Sequence, residues 1–177
     1  MFFIFFLNCG PKDPLPATNL VASTSAQTQP LPTTTPPTSP YPQLQERLSA
    51  SHQSLQIQCW MKPIPNPNIA KMPCLLEADL DGDTINDTAI LILDTNTQKK
   101  GVAILHGNGS NSILGAGNAI GNGGDNFRWM NIWNVEDTPK SMTNPVVPKA
   151  LYVGKYESAG GFIYWDGSAF VWLQHGD

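Results

Sequence analysis

Charge is scarce in this chain, where only 14% of 177 residues are charged and the ten basic ones are scattered, with only Lys99 and Lys100 adjacent. No Lys/Arg run is present to hold a phosphate backbone, and the net charge of −4 excludes the electrostatic footprint of a nucleic-acid binder. Long apolar runs are missing too. The stretch Phe2 to Leu7 covers six residues, far short of the ~20 that span a bilayer, so no transmembrane helix is expected. Neither a G-x-S-x-G elbow nor a Gly-Lys-Ser/Thr step occurs, which leaves neither the α/β-hydrolase nor the P-loop motif in the chain. Gly115-x-Gly117 has Ile120 where a dinucleotide loop needs its third glycine. His52, His106 and His175 are not spaced as a metal cluster.

Cysteine is rare as well, at three residues, and the first stands in "M-F-F-I-F-F-L-N-C-G". That opening resembles the end of a bacterial lipoprotein signal peptide, in which the cysteine becomes the lipidated N-terminus. Asn8 takes the place of the usual small residue, and no basic segment precedes the apolar run, as a start assigned downstream of the native one would leave it. The resemblance implies lipid on Cys9 and a location in the bacterial cell envelope, on the periplasmic face or the cell surface. With Cys9 so assigned, Cys59 and Cys74 remain either as a disulfide or as two buried thiols. Closing a loop of about 15 residues is worth roughly 3 kcal/mol, less here because prolines already stiffen the unfolded loop.

Three regions follow along the chain. Residues 1–10 form the signal remnant. Residues 11–43, exemplified by "P-L-P-T-T-T-P-P-T-S-P-Y-P", hold almost no aromatic or charged side chain, cannot repay the entropy of folding, and read as a disordered, extended tether. Residues 44–177 read as a β-rich globular domain. Leu44 and Leu48, four apart after Pro42, predict one short helix. Leu55, Ile57 and Cys59 alternate with glutamines as in a strand buried on one face. Further strands are expected at Thr88 to Leu93, Gly101 to Leu105, Phe127 to Val135 and Ala150 to Tyr156. In "F-I-Y-W-D-G-S-A-F-V-W-L" the Asp166-Gly167 step predicts a two-residue hairpin turn that pairs Trp165 with Ser168 and Ile163 with Phe170. Both hairpin faces are then apolar, which places it inside a covered sheet. The expected class is mainly β: an antiparallel sheet, sandwich or half-barrel.

What the chain has in unusual density is acid. "E-A-D-L-D-G-D-T-I-N-D-T-A" carries five carboxylates within eleven positions. Numbered from Asp79, oxygen donors fall at Asp79, Asp81, Asp83, the carbonyl of Ile85, and Asp87, the odd positions of a calcium loop. Alternate residues of a tight loop point to one centre, where a hard cation takes six to eight oxygens and relieves the repulsion among carboxylates. The alternative is a solvated acidic turn between strands. Position 12 is Ile90 and a strand follows, so the loop is not an EF-hand. It resembles the D-x-D-x-D-x-x-x-D loops of FG-GAP and VCBS-type repeats, which implies Ca²⁺ and a bracing role at a strand entrance. Thr84 sits where glycine is usual, and the loop occurs once, so the likeness does not extend to a propeller. Zinc is disfavoured because the loop itself holds no His or Cys.

The functional expectation is a calcium-stabilised, envelope-anchored interaction module with no catalytic constellation. "V-A-I-L-H-G-N-G-S" shares a His-Gly step with α/β-hydrolases and nothing more, so His106 reads as the polar end of a strand. The Gly/Asn run from 107 to 126 reads as a long mobile loop. With Asn108, Asn118, Asn122, Asp125, Trp129 and Trp133 it is the expected partner surface, for an envelope protein. Glycan or peptidoglycan binding through tryptophan faces is the second reading, and a small hydrolase using Asp125 or Glu157 the third.

Overall fold

A computed structural model describes residues 39–64, 66, 71–139 and 147–176. Cys9 and the expected tether up to residue 38 lie outside the described residues. Helix α1 (Pro42–Ser51) starts with proline in its first turn, where the missing N–H is harmless. Among the described residues, nine strands follow in two antiparallel sheets. The first holds β1 (Leu55–Ile57), β2 (Leu75–Ala78), β3 (Asp87–Asp94), β4 (Lys100–Leu105) and β5 (Asn111–Gly115). Its order is β1-β3-β4-β5, with β2 pairing further along the same β3. The second is a meander of β6 (Ile132–Asp137), β7 (Lys149–Gly154), β8 (Gly160–Trp165) and β9 (Phe170–His175).

Period-two alternation sorts the apolar residues of these strands into layers. From β3 and β4, Ala89, Leu91, Val102 and Ile104 join Trp133, Leu151, Val153 and Ile163 of the second sheet in one core. The alternate residues Ile90, Ile92, Ala103 and Leu105 face the other way, against Leu48 of α1 and Leu55 and Ile57 of β1. This double burial is why "T-A-I-L-I-L" shows no polar alternation. Gln45 of α1 accepts a hydrogen bond from Ile57 N at 2.7 Å and donates to Leu55 O at 3.0 Å, which satisfies the free edge of β1. No helix among the described residues is long and apolar enough to cross a membrane.

Cys59 and Cys74 are joined in a disulfide with Cα atoms 5.0 Å apart, tying the segment after β1 to the start of β2. Strand β2 was hidden in sequence by its brevity and its Glu77. Phe127 to Val135 is not one strand: Phe127–Trp129 forms a 3₁₀ turn and β6 begins at Ile132. Asn126 causes the break, its side-chain oxygen accepting from the N–H groups of Arg128 and Lys100. Nor is 107–126 a long loop, since β5 lies within it and pairs with β4.

The final hairpin is longer in its turn than two residues. Trp165 pairs with Phe170 and Ile163 with Trp172, leaving Asp166 to Ala169 as the loop. Asp166 Oδ1 accepts from Ser168 N at 2.8 Å and Ala169 N at 2.9 Å, stabilising the wider turn. The slip of two residues preserves each side chain's face. The hairpin is also not interior: β9 closes the edge of its sheet and stays half-buried to exposed. The indole of Trp172 is accommodated because Gly161 has no Cβ; one built there would meet Cζ2 at 2.2 Å.

Candidate metal centre

The acidic loop bridges β2 and β3, and its aspartates first organise their own backbone. Asp79 accepts from Gly82 N at 2.7 Å and, with its other oxygen, from Thr84 N at 3.0 Å. Asp81 accepts from Asp83 N, and Asp83 from Ile85 N. Gly82 and Thr84 both take positive φ, 82° and 71°. For Thr84 this is the left-handed region that a β-branched side chain resists, so the loop holds local strain at this position.

Asp79, Asp81 and Asp83 each bring a carboxylate oxygen within 4.8 Å of the others. Asp87, fully buried at the start of β3, is placed differently. Its Oδ2 accepts from Leu80 N at 2.9 Å and its Oδ1 from Gly107 N at 3.0 Å, so it pins the acidic loop to the turn after β4. Asp87 gathers with Asp81 and His106, within the same 4.8 Å limit, as a second donor set that shares Asp81 with the first. Ile85 is half exposed, and its side chain lies against Gly107.

His106 is the residue that sequence reading left out. The fold brings it to the loop, so the absence of His from the loop's own sequence is no argument against imidazole at this centre. Its side chain is 4% exposed, with Nδ1 2.8 Å from Asp81 Oδ2 and 3.4 Å from Asp87 Oδ1. Those oxygens lie off the ring N–H direction, and among the described residues Nδ1 has no in-line hydrogen-bond partner. Nε2 lies 2.9 Å from Ser112 Oγ on β5. The ring stacks on Phe170 at 5.9 Å and meets Trp165 edge-on at 6.3 Å, so it also contacts the second sheet. Arg47 of α1 donates to the carbonyls of His106 and Ser110, holding the turn from the helix side. The all-oxygen set suits a hard cation such as Ca²⁺, and the mixed set suits a borderline one.

The expected partner-surface residues scatter. Asn108, Asn118 and Asn122 are exposed, while Asn108 Oδ1 is engaged by Ser110 N and Oγ. Asp125 is ion-paired with Lys99. Trp129 is half-buried, with Nε1 donating to Gly123 O and its ring edge-on to Trp172. Trp133 does not belong to a surface: it is 1% exposed, faces the core between the sheets, and donates from Nε1 to Pro73 O. Alternation along β6 explains this, because its neighbour Asn134 takes the outward position. Glu157 is exposed in the turn between β7 and β8, at φ 56°.

Comparisons with protein-family models, with curated proteins and with solved structures gave no match to this chain.

Proposed function

We propose that this chain is a calcium-stabilised, envelope-anchored β domain that binds a macromolecular partner and catalyses no reaction. The observation that carries the reading is the convergence of Asp79, Asp81 and Asp83 at the entrance to β3. Three carboxylates so close repel one another, a shared cation turns that repulsion into attraction, and the loop's likeness to FG-GAP and VCBS-type calcium loops points to Ca²⁺. Bound there, the ion braces the turn that Asp87 and His106 connect to both sheets. The partner surface in this reading is the β5–β6 connection, where Asn118 and Asn122 are exposed. Cys9 carries the lipid anchor, and the proline-rich segment between it and α1 sets the reach.

A photo-crosslinker at position 118, used in cells, tests the interaction. The expected result is a discrete adduct with an envelope protein that disappears in Asp83→Asn. An adduct pattern identical in both proteins, or none, overturns the reading. Mass spectrometry of Cys9 from native membranes is expected to find a diacyl or triacyl mass, and an unmodified cysteine ends the anchoring proposal.

Glycan binding is the second reading, favoured by a cavity of about 240 Å³ walled by Trp129 and Trp172 and rimmed by Asn122 and Gln174. Sedimentation with purified peptidoglycan separates the two, since only the second predicts binding that Trp172→Ala removes.

A further inference from the structure

Far from the acidic loop in character, a second cavity of about 290 Å³ is lined by Lys62, Lys100 and Arg128 between the indoles of Trp60 and Trp129. We infer that this cavity is a binding site for a compact organic anion, a carboxylate or phosphate carried on a ring-sized body.

The charge pattern is the first support. Acidic residues outnumber basic ones fourteen to ten in the chain, yet three cations meet here and, among the described residues, no carboxylate lines the cavity. Of the other described lysines, Lys99 and Lys149 have carboxylate partners, while Lys71 and Lys155 stand exposed without one and apart from this cluster. Among the described residues, no ion pair includes Lys62, Lys100 or Arg128. Lys100 is the most enclosed of the three, with burial first and then the charges of Arg128 and Lys62 pushing its ammonium below the ordinary lysine range. Lys62 and Arg128 are exposed and Lys100 is half-buried, so solvent screens their mutual repulsion, and an anion in their midst replaces it with attraction.

Hydrogen-bond directions are the second, independent support. Both tryptophan N–H groups point elsewhere, Trp60 Nε1 to Ile92 O at 3.1 Å and Trp129 Nε1 to Gly123 O at 3.1 Å. Their rings therefore offer the cavity apolar surface, which Met130 extends. Asn131 also lines it, and its Oδ1 already accepts from Tyr156 N at 2.7 Å, so the side chain has its NH₂ left to offer. The polar side-chain groups of the wall are thus donors, and the remainder is apolar or aromatic. Lys100 Nζ sits 4.9 Å from the Trp60 ring centroid, which steadies the ammonium beside that face. A ligand complementary to this wall has an acceptor-rich, negatively charged head and a flat body that lies on indole. The volume sits at the lower end of small-molecule sites and admits one ring with its anionic group.

The site does not depend on the metal loop, so the test is run on the full chain with calcium and again with chelator. Calorimetric titrations use D-glucuronate, D-glucose 6-phosphate and benzoate, with D-glucose as the neutral counterpart. Saturable binding by at least one anion and none by D-glucose is expected, and the tighter arm tells carboxylate from phosphate. Lys100→Met and Arg128→Gln should each weaken the bound anion about tenfold or more, the loss of one charge-assisted contact, while Lys149→Met leaves it unchanged. Melting temperatures of the two cavity variants should stay close to or exceed that of the parent, because each removes a cation that has no carboxylate partner among the described residues. No saturable anion binding, equal binding of D-glucose, or full affinity retained in both variants overturns the inference. So does a lowered melting temperature in both variants, which assigns the cations to stability.

Discussion

His106 stands across the β3–β4 ladder from Asp87, one step beyond the pair Thr88 and Leu105, with its Nδ1 3.4 Å from Asp87 Oδ1. The same nitrogen is 2.8 Å from Asp81 Oδ2, so a single imidazole touches both the loop and the strand it feeds. Two donor sets meet at Asp81, and substitutions separate them. If calcium takes the oxygen set, His106 only orients Asp81 from outside. His106→Gln is then expected to weaken calcium by about tenfold, as loss of an outer-shell partner does. Asp79→Asn or Asp83→Asn should abolish binding. Calorimetry that finds His106→Gln as damaging as Asp79→Asn moves the ion to the mixed set.

Thr84 holds φ 71° while its N–H donates to Asp79 Oδ2. The left-handed conformation costs a non-glycine residue about 1–2 kcal/mol, and glycine returns about 0.5–1 kcal/mol of that through its freer unfolded chain. Thr84→Gly is expected to raise the melting temperature of the metal-free protein by about 2–4 °C. Scanning calorimetry checks this, and a fall in melting temperature contradicts the strain.

Much of the sheet was legible because the rules that apply to it are local. Alternating or continuous apolar runs locate β1, β3, β4 and β7, and Pro42 with Leu44 and Leu48 locates α1. Less legible were features set by pairing. Strand β5 runs through Asn111 and Ser112 and reads as loop until β4 supplies its hydrogen bonds. The last hairpin slipped by two residues because Asp166 stabilises a four-residue turn that the Asp-Gly step alone does not announce. His106 was missed by searching for metal ligands along the chain. Pairing the two adjacent strands would have found it, since the register that joins Thr88 to Leu105 also sets residue 106 beside residue 87.

Gly161 and Trp172 are a matched pair, the indole lying where a Cβ would be. Gly161→Ala forces the ring to move and is expected to cost about 1–3 kcal/mol, as overpacking does. In denaturant unfolding, Trp172→Leu added to Gly161→Ala should recover part of the loss. Strict additivity of the two losses would show that the contact does not limit position 161.

Hydrogen bonds from the N–H groups of Ala169 and then Ser168 hold the Asp166 carboxyl below its ordinary value of 3.8. A depressed carboxylate stabilises the folded turn fully above its unfolded pKa, and that contribution is lost as pH falls through the lower folded value. Amide resonances of Ser168 and Ala169 are therefore expected to titrate together with a midpoint below 3.8. A midpoint at or above that value removes the turn's acid-sensitive anchor.

Calcium titration of the parent chain and of Asp81→Asn, read by both heat and melting temperature, tests the central claim most directly. Asp81 belongs to both donor sets, so the variant removes the site whichever set the ion prefers. Saturable heat is predicted for the parent, with a stabilisation of about 2.7 kcal/mol once calcium exceeds its dissociation constant a hundredfold. Both signals should vanish in Asp81→Asn. A parent protein that gives no heat and melts at the same temperature in calcium and in chelator would contradict the metal centre outright.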